Sequence, residues 1–160
     1  MAVVLVALLG VGVAPLAGAA SSPPTVNAPS MAIAASPRAA GAHRVRLAVT
    51  LRYRMQCGYA GAGPLVVKFP SALKLPRQFA SGTVKLAGKA VAASTKGQNV
   101  TVTVPPHKGV LCSMLGPGSV TLLFTRAAKL TNPAQAGSYW FTATHAKHSF
   151  RAKLPVKPAA

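Results

Sequence analysis

The side chains able to do chemistry in this chain are few: Cys57 and Cys112, the histidines His43, His107, His145 and His148, and Ser113 beside the second cysteine. No Asp or Glu occurs among the 160 residues. That inventory removes the carboxylate pair of glycoside hydrolysis, the acidic orienter of a Ser-His dyad, and the hard-oxygen cage that calcium or magnesium requires. Ser113 lacks the glycine pattern of a nucleophile elbow. The chain is expected to be non-catalytic and to carry no cofactor.

Two cysteines in an exported chain predict one disulfide, Cys57–Cys112. Closing a loop of 55 residues contributes about 4 kcal/mol in the chain-entropy account. His145 and His148 on one strand point to opposite faces, so a shared metal needs a turn at Ala146-Lys147. With Met55 or Met114 such a pair would suit copper, because imidazole and thioether are soft ligands. Surface histidines near a hairpin are the simpler reading, and no metal site is assigned.

The remaining chemistry is charge. Eighteen Lys and Arg give a formal net charge of +18, where a chain of average composition would carry roughly 20 acidic side chains. Such a surface repels itself and attracts polyanions. Arg44, Arg46, Arg52 and Arg54 share one parity of a strand, with i, i+2 neighbours about 6.7 Å apart. They are the candidate polyanion-binding face, which Lys68 and Arg77, or Lys147, Arg151 and Lys153, could widen. Dedicated nucleic-acid readers add aromatic platforms to a basic groove. Only Trp140 is placed to act as one, so no specific nucleic acid is expected.

The elements that must position these groups follow from hydrophobic patterning. Residues 1–20 are apolar, broken at Pro15, and end on Ala17-Gly18-Ala19, the pattern of a cleaved signal peptide. No transmembrane span is expected once it is removed, and the protein is placed outside the cell or in the envelope. Residues 21–41, rich in Ala, Ser and Pro, read as a flexible linker. Residues 42–160 form the domain. From His43 to Met55 apolar residues fall at every second position, the signature of a strand with one buried face. Further strands are predicted at Leu65–Phe69, Thr83–Ala87, Val100–Val104, Gly109–Cys112, Val120–Thr125, Tyr139–Thr144 and Ser149–Leu154, separated by Gly and Pro turns. Ser71–Phe79 and Arg126–Ala134 could hold short helical turns. Many short strands joined by one disulfide predict an all-β antiparallel sandwich of about seven to nine strands.

The run from Leu130 to Thr144, with Asn132-Pro133, Gly137, Tyr139 and Phe141, resembles the Asn-Pro-x-x-x-Gly-x-Tyr-x-Phe segment near the end of immunoglobulin-like domains in bacterial surface and secreted proteins. The resemblance covers about fifteen residues and implies an immunoglobulin-like sandwich in a cell-surface setting. It departs from antibody domains in that Trp140 follows the second cysteine, so the disulfide need not take their inter-sheet position. The function expected is a basic, non-catalytic binding or structural module held to an anionic cell-wall polymer, extracellular polymer or lipid surface. The alternatives are a periplasmic or extracellular copper-binding protein and an adhesion domain.

Overall fold

Strict alternation in β2 (His43–Tyr53) puts Val45, Leu47, Val49, Leu51 and Tyr53 in the core and leaves Arg46 and Arg52 exposed. The computed structural model describes residues 29–53, 62–105 and 118–159. Within them β2 is joined by β1 (Ser30–Ser36), β3 (Gly63–Lys68), β4 (Val84–Leu86), β5 (Lys89–Ala90), β6 (Ala93–Lys96), β7 (Asn99–Val104), β8 (Gly118–Phe124), β9 (Leu130–Thr131), β10 (Gly137–His145) and β11 (His148–Val156). A single 3-10 turn, Arg126–Ala128, is the one helical element among the described residues. No helix there is long and apolar enough to cross a membrane.

The strands form two antiparallel sheets. The first runs β1-β2-β8-β4-β5, with β9 pairing the start of β2, and the second runs β11-β10-β3-β7-β6. Their inner faces meet in one core. Val45 to Leu51 and Val120, Leu122 and Phe124 come from the first sheet; Leu65, Val67, Val100, Val102, Phe141 and Leu154 come from the second. Phe69, just past β3, stands between them, edge-on to Phe124 at 5.4 Å and to Phe141 at 5.3 Å. Such edge-to-face contacts favour the ring quadrupoles as well as the burial.

The described chain has eleven strands, more than the seven to nine expected, because β5 and β9 are two-residue pairings too short to leave a pattern. The linker expected over residues 21–41 is corrected where it is described. Ser30–Ser36 is β1, paired with β2 from Ser30↔Arg52 to Ser36↔Arg46. Pro29 and Pro37 bound this strand and do not interrupt it, and Met31, Ile33 and Ala35 turn inward between exposed Ala32 and Ala34. Proline excludes only its own position from a ladder. The candidate strand Gly109–Cys112 lies outside the described residues.

The edge of the sandwich at β1 and β11 is sealed by main chain. Ala40 N–H donates to Lys157 O at 2.8 Å, and Lys157 N–H donates to Arg38 O at 2.9 Å. Asn132, 1% exposed, holds the same segment. Its Nδ2 donates to Pro37 O at 3.0 Å and to Ala39 O at 2.9 Å, while its own N–H donates to Ala42 O at 2.9 Å. The Asn132-Pro133 turn thus has a specific task, tying residues 37–42 to the body of the domain. Asn132→Ala removes the donor to Pro37 O and one of two donors to Ala39 O, which keeps the Ala42 N–H, and is expected to destabilise the protein by about 1–3 kcal/mol. Urea unfolding should show a lower midpoint at unchanged slope; an unaltered midpoint would mean that residues 30–42 are not part of the cooperative unit.

Candidate polyanion-binding faces

The outward face of β2 carries Arg46 and Arg52 with Ala48 and Thr50 between them. Its neighbours in register are Ser30, Ala32, Ala34 and Ser36 on β1, and Ser119, Thr121 and the larger, half-buried Leu123 on β8. Thr50 and Thr121 hydroxyls lie 3.1 Å apart in a cross-strand hydrogen bond. The result is a surface of Ser, Ala and Thr, interrupted by Leu123 opposite Ala48, with a guanidinium toward each end, about 20 Å apart along the strand. Arg44 leaves the alternation. Pairing with β9 shifts between His43↔Thr131 and Val45↔Leu130, and Arg44 sits at that bulge with φ 53°. A bulge re-aims the side chain it carries. Arg54 lies outside the described residues.

The cations expected to widen this face assemble elsewhere. Lys68, Arg151 and Lys153 belong to the second sheet, on its outward side. Register aligns five residues straight across it: Arg151 opposite Thr142, Thr142 opposite Lys68, Lys68 opposite Asn99, and Asn99 opposite Lys96. Every second strand therefore presents a cation, at intervals of about 10 Å given the usual strand separation. Lys147 occupies the β10–β11 turn and Arg77 the β3–β4 connection, so neither joins this row.

Trp140 stands at one end of the row. It is 44% exposed, the one large hydrophobic side chain so placed among the described residues. The Arg151 guanidinium carbon lies 3.7 Å and the Lys153 ammonium 4.5 Å from its ring centroid. Cation–π attraction of about 0.5–1 kcal/mol for each exposed pair offsets part of the repulsion between the two charges and fixes the ring beside them. Parity on β10 puts Trp140 outward and Phe141 inward, as the sequence predicts. Tyr139 is half-buried, and its hydroxyl donates to Gln135 O at 2.8 Å, bracing the turn that leads into the strand.

Three of the four histidines, His43, His145 and His148, are among the described residues. Among the described residues no three His, Cys, Asp or Glu side chains stand together. The turn at Ala146-Lys147 is present and sets His145 opposite His148. Both reach Tyr53 at the end of β2: its hydroxyl is 2.8 Å from buried His145 Nδ1, and its ring meets His148 edge-on at 6.0 Å. His43 Nδ1 is 3.1 Å from the Thr131 hydroxyl, away from that pair. Cys57, Cys112, Met55, His107 and Met114 lie outside the described residues.

No protein-family model matches the chain, and no curated protein matches it in sequence. The fold is similar to that of BslA, a bacterial hydrophobin, with a TM-score of 0.54 at 19% identity over 82% of this chain and 100% of that one. A looser likeness links it to the N-terminal domain of the Streptococcus gordonii adhesin Sgo0707, with a TM-score of 0.49 at 15% identity over 81% of this chain and 32% of that one. Another links it to a non-cellulosomal cohesin from Archaeoglobus fulgidus, with a TM-score of 0.36 at 11% identity over 76% of this chain and 90% of that one. At these identities the likeness extends to the two-sheet fold alone.

Trp140 is the single tryptophan of the chain, so its emission reports this face without interference. With two cations beside the ring, iodide should quench it several-fold more efficiently than caesium at equal ionic strength, and the difference should shrink as NaCl is raised to about 1 M, where the screening length is about 3 Å. Equal quenching by the two ions at low salt would contradict the placement of Arg151 and Lys153.

Proposed function

We propose that this chain is an exported, non-catalytic sandwich module that attaches to anionic polymers of the cell envelope or extracellular space. The observation that carries the reading is the cross-strand row Arg151-Thr142-Lys68-Asn99-Lys96 with Trp140 at its end, on a chain with no Asp or Glu to neutralise it. A polymer lying across the strands would meet a cation at every second strand. The Thr and Asn side chains between them can hydrogen-bond its hydroxyls or ester oxygens, and Trp140 offers a flat apolar contact. Each polymer charge neutralised releases bound counterions, so affinity comes mainly from the salt-dependent term.

The face of β2 supplies a second area in this reading, with Arg46 and Arg52 flanking Ala48 and Thr50. Among the described residues Trp140 is the one exposed aromatic, fewer than a dedicated single-strand nucleic-acid platform uses. It is also the one exposed large hydrophobic side chain among them, and it stands beside two cations. We also hold the domain to be immunoglobulin-like, with Cys57 bonded to Cys112. In sequence these cysteines lie four residues after Tyr53 and six before Gly118, and those two residues pair at the ends of β2 and β8.

Two experiments test this reading. Thiol labelling of the unreduced, unfolded protein should find essentially no free cysteine, and stoichiometric labelling would remove the disulfide. Binding to dextran sulfate should weaken steeply with NaCl, while neutral dextran should not bind. The variant Lys68→Gln/Lys96→Gln/Arg151→Gln/Lys153→Gln should lose affinity at least about tenfold more than Lys74→Gln/Arg77→Gln/Lys85→Gln/Lys147→Gln, with a log–log salt slope shallower by about 3. Equal losses in the two variants would assign the binding to net charge and not to the face.

A further inference from the structure

A different cluster of cations surrounds a cleft on the first sheet. Its lining includes Ser36 and Pro37, at the end of β1, and Arg126, Ala127 and Lys129, in and after the 3-10 turn. His43 and Arg44, at the start of β2, complete the lining of a cleft of about 700 Å³. We propose that this cleft is a discrete binding site for a phosphate monoester of about sugar size, distinct from the extended face of the second sheet and independent of the function assigned to that face.

Three features point to such a ligand. The lining brings together two guanidinium groups, an ammonium and an imidazole, and the chain has no Asp or Glu to satisfy them. A phosphate monoester carries close to two negative charges at neutral pH and three acceptor oxygens, which arginine forks engage in pairs. One of the three cationic residues is also held in an unusual way. Lys129, at φ 57°, is the left-handed cap that ends the 3-10 turn, whereas Arg44 has φ 53° at the bulge of β2, in the left-handed region that side-chain-bearing residues seldom enter. Backbone of that kind concentrates where the surrounding fold fixes a side chain for use. Finally, the imidazole is oriented: the contact of His43 Nδ1 with the Thr131 hydroxyl at 3.1 Å leaves Nε2 for a ligand. Arg46, opposite Ser36 in the β1–β2 ladder, extends the positive field along the rim.

The size of the cleft favours an ester over the bare ion. A volume of about 700 Å³ falls in the range that small organic ligands occupy. The ester oxygens would engage the two arginines and Lys129, and the organic part would lie along Ser36, Pro37 and Ala127.

Calorimetric titration of the full chain at physiological salt, with glucose 6-phosphate as probe, tests the assignment. Saturable binding with one site per chain is expected, at least about tenfold tighter than inorganic phosphate and tighter still than glucose. Arg44→Gln/Arg126→Gln/Lys129→Gln should weaken it at least about tenfold, while Lys68→Gln/Lys85→Gln/Lys89→Gln, which removes the same charge elsewhere, should change it less than about threefold. Amide and imidazole NMR shifts of the unaltered chain make the result independent of how the variants fold. The probe should move His43, Arg44 and residues 126–129 and leave the Trp140 indole in place. Equal weakening by the two triple variants, binding of inorganic phosphate as tight as that of the ester, or a response confined to Trp140 would each overturn the site.

Discussion

A surface that carries charge of one sign only is the constraint on which the rest of this structure depends. With eighteen cationic side chains and no Asp or Glu, no Lys or Arg can gain stability from an Asp or Glu partner, and each adds to the repulsion felt by the others. Folding must therefore be secured by apolar burial and by main-chain pairing. The core answers this with aromatic and branched side chains from both sheets, gathered on Phe69, Phe124 and Phe141. The charged residues are held on the outward parity of the same strands, where water and counterions screen them.

The same constraint shapes what the protein can do. Catalysis by carboxylates and binding of hard cations are closed to this chain by composition, whereas attraction to anions needs no further apparatus. What the fold adds is arrangement. Flat antiparallel strands convert sequence-distant lysines and arginines into a row with regular spacing, and a single tryptophan is locked beside it by two of them. The open cleft on the first sheet instead gathers exposed cations at a bulge and a 3-10 turn.

Much of the scaffold was legible in the sequence because period two is a local signal. The inward parity of β2, β7 and β10 and the outward position of Trp140 follow from neighbours two residues apart. β1 was hidden by its flanking prolines, which mark the ends of a strand as readily as the body of a linker. The make-up of the binding faces was less accessible, and for a physical reason. Lys68, Lys96 and Arg151 come together through the registers of β3, β7, β6, β10 and β11, and no window of sequence contains that information. Nor does His43-Arg44 carry a glycine to announce the bulge that takes Arg44 out of the row, since the irregularity arises from pairing with β9, more than eighty residues away.

The central claim is that the outward face of the second sheet is where polyanions lie, and Trp140 makes this directly measurable. Titrating the full chain with dextran sulfate at low salt while following tryptophan emission and its quenching by iodide places the polymer relative to one residue. The account predicts that iodide access falls in step with binding and returns as NaCl displaces the polymer. Saturated binding that leaves the emission and iodide access of Trp140 unchanged would contradict it.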